Sequence, residues 1–279
     1  MELYELLGRV VLLVVLLIVV TGVISFDRAM LRRLRTEFRE RVRIALPFLT
    51  ILGIVLLFNA QFRNVVHNIS WAIGINITPG IHGLEGRTIV SIQQFFGEGF
   101  AHFFSYIYVY GYVFLLVFPL IAYFMLDRMD VFKSMTLAYA ANYGIGLLCY
   151  VIFVAYGPRN IIPMDVEGLL LPQFQLLTTE VNENTNVFPS LHTSLSATVM
   201  LFAWHTRERF PAWVLIAWFL GISIIISTMY LGIHWALDVL AGLGLAGFSY
   251  WMGMRIVERR WIEQLEVGKH VERFRAVLR

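Results

Sequence analysis

Cysteine and lysine are nearly missing from this chain, and charge of either sign is sparse. Cys149 is the single cysteine, which excludes an intramolecular disulfide framework and a cysteine-rich zinc site. Lysine occurs only at Lys133 and Lys269. Charged residues make up 15% of the 279 positions against 58% hydrophobic, where soluble domains carry about 45–50% apolar residues. That deficit excludes an ordinary soluble domain. A mean hydropathy of +0.71 points to a chain that crosses a bilayer several times. HExxH and HxxxH spacings are absent, as are internal repeats and low-complexity tracts, so the common histidine zinc motifs and repeat architectures drop out.

What is present is a series of apolar runs. A helix needs about 20 mostly apolar residues to cross about 30 Å of hydrocarbon. The segments near 8–26, 44–61, 101–126, 134–156, 190–205, 211–230 and 235–254 meet that expectation, the fifth being short. The first is read as a retained helix, because its flank "MELYELLGR" carries two Glu and one Arg and no small-residue cleavage site follows. The net charge of +3 and pI near 9.1 do not point to nucleic acid, since the basic residues cluster beside the spans.

Those basic residues set an orientation. Arg28, Arg32, Arg33, Arg35, Arg39, Arg41 and Arg43 lie between the first two spans, and Arg255, Arg259, Arg260, Lys269, Arg273, Arg275 and Arg279 follow the last. Both groups belong in the cytoplasm, so seven alternating spans leave the N-terminus outside and the C-terminus inside. Segments 62–100 and 157–189 then face outward and contain only Arg63, Arg87 and Arg159. The first reads as one or two interfacial helices with sequons at Asn68 and Asn76, and the second as a long connection with a functional role.

Three polar groups from separate parts of the chain fall on that outer side: Arg159, His192 in "NVFPSLHTSLS", and the pair His234 and Asp238 in "YLGIHWALDVLAG". Ionisable residues at membrane depth are costly and ask for a partner or a function. His234 and Asp238 are four residues apart, on one helical face, so the carboxylate can fix the imidazole tautomer and leave the other ring nitrogen as nucleophile or base. His192 can then protonate a leaving group. Arg159 offers a planar fork for phosphate oxygens, and Ser190 a hydroxyl at a helix start that favours anions. This set suits phosphoryl transfer through a phosphohistidine. His205 and His270 read as solvated; His67, His82 and His102 lie outside without a promoting spacing. The aromatic residues read mostly as lipid-facing or interfacial, and Gly242, Gly244 and Gly247 as permitting close helix packing.

At these residues the chain resembles the type 2 phosphatidic acid phosphatase superfamily of membrane lipid phosphatases. "PSLH" (Pro189 to His192) is similar to its motif Pro-Ser-Gly-His, with Leu191 for Gly; "STMYLGIHWALD" (Ser227 to Asp238) to Ser-Arg-x5-His-x3-Asp, with Thr228 for Arg; "GPR" (Gly157 to Arg159) is a degenerate match to Lys-x6-Arg-Pro. The resemblance implies His234 as nucleophile, Asp238 as its orienter, His192 as general acid, and Arg159, Ser190 and Thr228 as phosphate contacts. It implies no metal or organic cofactor. The first-motif Lys has no counterpart, because Lys133 and Lys269 are both assigned to the cytoplasm. "FPSLH" with "YLGIHWALDVLAG" is more similar to the branch that includes inositol phosphorylceramide synthase, where the acceptor is a lipid alcohol instead of water.

The expected fold is an all-α polytopic membrane helix bundle: a six-helix catalytic core of the phosphatidic acid phosphatase type 2 kind at 44–254, preceded by a transmembrane helix and basic linker at 1–43 and followed by a basic tail at 255–279. The expected activity is that of a membrane lipid phosphate or diphosphate phosphatase, with the site on the extracytoplasmic face and the bilayer as its surroundings. Two alternatives stay open: a phosphotransferase moving a headgroup such as phosphoinositol to a lipid alcohol, and a non-catalytic lipid-binding or transport protein.

Overall fold

Asp, Ser, Pro and Gly punctuate the apolar runs and set where helices begin and end. The computed structural model describes residues 3–175 and 187–259. The basic tail from 260 onward, with Lys269 and His270, and the Asn-rich end of the 157–189 connection lie outside the described residues. In chain order, α1 (Leu3–Ser25) leads into α2 (Arg28–Thr36), which Asp27 caps by accepting the Met30 N–H at 2.8 Å. The long helix α3 (Phe38–Ile73) ends at Gly74 and is followed by β1 (Ile75–Asn76), α4 (Thr78–Glu85) and α5 (Thr88–Phe96). Next, α6 (Ala101–Tyr106) passes through a π-helical turn at Ile107–Gly111 into α7 (Tyr112–Phe124). Then come α8 (Asp130–Ile152), β2 (Phe153–Val154), the single turn α9 (Pro158–Ile161), α10 (Leu191–His205), α11 (Pro211–Tyr230) and α12 (Ala236–Glu258). The fold is an all-α polytopic bundle; its strands are a two-residue parallel pairing, Ile75 with Phe153 and Asn76 with Val154.

Five helices among the described residues are long and apolar enough to span a bilayer: Tyr4–Ser25, Phe38–Gln61, Glu98–Phe124, Asp130–Ile152 and Pro211–Tyr230. Two expected spans do not meet that measure. Helix α10 has 15 residues, a length of roughly 22 Å, and α12 is 23 residues long but carries small and polar residues toward its neighbours. Helix α10 packs inside the bundle against α8, α11 and α12, whereas α12 lies along α8 and α10 on one side and leaves Leu240, Leu243, Phe248 and Trp251 exposed on the other. Segment 62–73, expected at the interface, instead continues α3, because no helix breaker intervenes before Gly74.

Aromatic side chains fill the interior more than expected. Trp213 and Trp235 are fully buried, as are Tyr123, Tyr230, Phe114 and Phe118, while Trp71, Trp204, Trp218 and Trp251 face outward. Phe118 packs on Trp213 at 4.5 Å and is stacked by Phe26 at 5.7 Å. Between α8 and α10, Asn142 donates to Ala138 O at 2.8 Å and to Thr198 Oγ1 at 3.1 Å, and its Oδ1 accepts from Ser194 Oγ, so this buried polar set is paired. Gly242 serves close packing under the carbonyl of Ser190, and Gly253 farther along α12 does the same against Ser134 O, whereas Gly244 and Gly247 have open space beside them.

The basic linker divides its arginines. Arg28, Arg32, Arg35, Arg39 and Arg43 are exposed. Arg41 is buried and donates to Phe124 O at 2.9 Å and Leu126 O at 2.7 Å while pairing with Glu37, and Arg33 pairs with Asp127. Arg33 also donates to Met125 O at 3.4 Å, so these two arginines satisfy carbonyls at the end of α7, a structural duty that a charge count does not reveal.

Candidate active site

Two helix starts meet at one end of the bundle. Ser190 caps α10, its Oγ accepting the Thr193 N–H at 3.3 Å, and its own N–H donates to Asp238 O on α12 at 3.0 Å. That bond ties the beginning of α10 to the first turn of α12, which puts His192 beside His234 with ring centroids 6.3 Å apart. The Ser190 hydroxyl proton is left to donate. Leu191, where the resembled motif has Gly, fits because α8 presents Gly146 opposite it: a Cβ at that glycine would come to 2.6 Å from Leu191 Cδ2.

His234 is 3% exposed and Asp238 fully buried. Asp238 Oδ2 accepts the Trp235 N–H at 2.8 Å and lies 3.5 Å from His234 Nδ1. The second distance is at the long limit of a hydrogen bond. His234 Nδ1 and Asp238 Oδ1 have no other partner among the described residues, so nothing competes for a tighter contact once the imidazole gains charge. With Nδ1 directed at the carboxylate, Nε2 is the nitrogen available for chemistry.

His234 lies in the loop before α12 and so does not share a helical face with Asp238 as the spacing predicts; Trp235 caps the helix and the two side chains meet across its first turn. That loop aligns the backbone. Thr228 O accepts the N–H groups of both Ile233 and His234 at 3.0 Å. The Thr228 hydroxyl donates to Ile225 O at 2.8 Å, so its proton is directed along its own helix and its contribution here runs through the carbonyl. Gly232 adopts φ 68°, a left-handed conformation that only glycine takes without cost. Its carbonyl accepts the Arg159 N–H at 3.1 Å, which docks α9 two residues from His234. Burial works against the Arg159 charge and the nearby Tyr108 favours it; a guanidinium stays protonated under both.

All six residues singled out from the sequence thus gather at one end of the bundle. Others escaped sequence reasoning. Tyr108, in the π-helical turn, and Tyr112, at the start of α7, hold the His192 ring between them, at 4.6 Å and 4.4 Å between centroids. Tyr150 donates to Pro189 O at 3.2 Å. Glu85 accepts the N–H groups of Ala236 and Leu237. Nothing in the sequence distinguished these from the many other aromatic and acidic positions. His82 packs on Trp235 at 5.8 Å, His102 is exposed, and His205 meets Tyr250 Oη at 3.3 Å beside a 370 Å³ cavity lined by Arg128, Asp130 and Glu258. Among the described residues, no group of three or more His, Cys, Asp or Glu side chains is arranged to hold a metal ion.

The family model of the PAP2 superfamily matches residues 88–252, more than half of the chain and every one of these six residues. The chain belongs to the PAP2 superfamily. No curated protein and no solved structure matches it. Membership in the PAP2 superfamily makes the chain a phosphatase-type lipid phosphoesterase at the general level. The matched region starts at α5 and ends within α12, so it holds the two helix starts and the α9 turn, while α1 to α4 and β1 precede it.

Proposed function

We propose that this PAP2 superfamily protein is a membrane lipid phosphate or diphosphate phosphatase that works through a phosphohistidine. The observation that carries the reading is His234, backed by the Asp238 carboxylate, facing His192 across the junction of two helix starts. In the first step His234 Nε2 attacks phosphorus, the bond from phosphorus to the leaving oxygen breaks, and His192 gives that oxygen its proton. Asp238 offsets the positive charge that develops on the imidazole. Arg159 and the Ser190 hydroxyl hold the phosphoryl oxygens, aided by the first turn of α10, whose N–H groups favour an anion. In the second step water attacks phosphorus, His192 takes its proton, and the N–P bond breaks.

Arg, not Lys, dominates the opposite end of the bundle, which supports a site facing away from the cytoplasm. A second reading replaces water by a lipid alcohol, as in the branch resembling inositol phosphorylceramide synthase. It is favoured by "FPSLH" and "YLGIHWALDVLAG", which are more similar to that branch, while Thr228 stands where the resembled motif carries a cation and leaves Arg159 as that motif set's remaining positive charge. The test is phosphate release from labelled lipid phosphates by purified protein, with and without polyol or ceramide-type acceptors, alongside His234→Ala. Free phosphate that depends on His234 supports hydrolysis, and label moving to the acceptor supports transfer. Full turnover by His234→Ala removes the mechanism, and lipid binding or transport with no phosphate release by either protein supports the non-catalytic alternative.

A further inference from the structure

Helix α12 starts with N–H groups that its own turns cannot satisfy. Trp235 N–H goes to Asp238, and the next two, Ala236 and Leu237, go to the Oε2 and Oε1 atoms of Glu85 at 2.9 Å and 2.5 Å. Glu85 is half-buried and reaches across 151 positions of sequence to do this. One carboxylate therefore grips two successive amides that begin two residues after the candidate nucleophile, at the helix end where negative charge is favourable.

The segment that carries Glu85 is itself fastened. Asn76 Oδ1 accepts the Thr78 N–H at 3.0 Å, Thr78 Oγ1 accepts the Tyr156 N–H at 3.1 Å, and Ile77 N–H donates to Val154 O at 3.0 Å. Farther along, Gln93 donates to Glu167 O and Tyr230 O, each at 2.8 Å, and accepts the Glu167 N–H at 3.0 Å. Trp235 adds its indole N–H, given to Tyr156 O at 2.7 Å, and its ring against His82. Segment 74–96 is thus attached on both sides of the turn that presents His234, through Tyr230 before it and Ala236 after it.

We propose that Glu85 is a positioning residue for the reaction: it clamps the first turn of α12 so that His234 and Asp238 keep their alignment, and it fills amides that would otherwise draw the substrate phosphate away from His234. This rests on the reading of His234 as nucleophile. Segment 74–96 is then part of the catalytic unit although most of it precedes the matched family region.

The test uses the full-length protein in detergent or nanodiscs, with Glu85→Gln, Glu85→Asp and Glu85→Ala. Two quantities are measured: kcat and KM for phosphate release from a lipid phosphate, and the rate at which diethyl pyrocarbonate modifies His234, followed by mass spectrometry. Glu85→Gln keeps the shape but opposes one N–H with another, and is expected to lower kcat about 10- to 100-fold with little change in KM, since small misplacements of reacting groups cost that much. Its His234 modification rate should rise, and Glu85→Asp should recover part of both. A Glu85→Gln kcat within about twofold of wild type overturns the proposal. So does an unchanged modification rate, whatever the turnover, and so do equal losses in Gln and Asp variants. Absence of turnover by wild type on every lipid phosphate would count against the phosphatase reading, with the modification rate still deciding whether Glu85 positions His234.

Discussion

Replacing Asp238 by Asn is the most informative single change, because it keeps shape and removes one charge. The carboxylate stands 3.5 Å from His234 Nδ1, with both side chains almost wholly buried. At an effective dielectric of about 20, a unit charge pair at that separation is worth roughly 4–5 kcal/mol. That attraction is absent while the imidazole is neutral and appears as phosphorus bonds to Nε2, so it lowers the barrier and not the ground state. Its loss should reduce kcat about a thousandfold at nearly constant KM. The Asn carbonyl oxygen can still accept the Trp235 N–H, so the cap of α12 survives and the thermal midpoint should move by no more than about a few degrees. The assay is steady-state phosphate release, paired with acid-quench trapping of a radiolabelled phosphoenzyme. A variant that retains kcat within about tenfold of wild type while remaining folded refutes the argument.

Arg159→Lys keeps a cation and loses the planar fork; kcat/KM should fall about 10- to 100-fold, and equal activity of the two would show that only charge matters. Tyr112→Leu removes one of the two rings holding His192, which should cost about two- to tenfold in kcat given about 0.5–1.5 kcal/mol per aromatic pair, measured as above. Gly232→Ala forces a side chain into φ 68° with its Cβ 2.9 Å from Val166 Cγ1, so the protein should lose about 2 kcal/mol or more in thermal or denaturant unfolding; an unchanged midpoint would contradict the strained turn. The Met30 N–H and Arg209 hold the Asp27 carboxyl below its ordinary 3.8. Its stabilising effect is therefore complete above that pH and disappears as pH falls through the lowered value, and Asp27→Asn should flatten this part of a thermal-midpoint titration in acid.

Several features were legible in the linear chain because they depend on composition or short spacing. Scarce charge and long apolar runs already specify a helical membrane bundle, since only helices or closed barrels satisfy backbone groups in lipid. "PSLH" and "HWALD" carry the resemblance that the family match to residues 88–252 supports. Spacing of four kept His234 and Asp238 within reach of one another, but His234 stands in the loop before α12 and not on its face, because Trp235 caps the helix and gives its N–H to Asp238. Span lengths were less legible. Whether α10 needs a full bilayer's length depends on what surrounds it, and α3 runs past its apolar stretch because nothing local stops it.

What the sequence determined by itself is the class of molecule and the residue types capable of phosphoryl chemistry, because hydrophobicity and short motif spacing act locally. Tertiary structure alone decided which of many tyrosines flank His192, that Thr228 turns its hydroxyl proton to Ile225, that Arg41 and Arg33 close α7, and that Glu85 reaches the start of α12. These are pairings between groups far apart along the chain. Each depends on where an unsatisfied N–H, carbonyl or ring face comes to lie once the helices pack, and no pattern in a one-dimensional string carries that position.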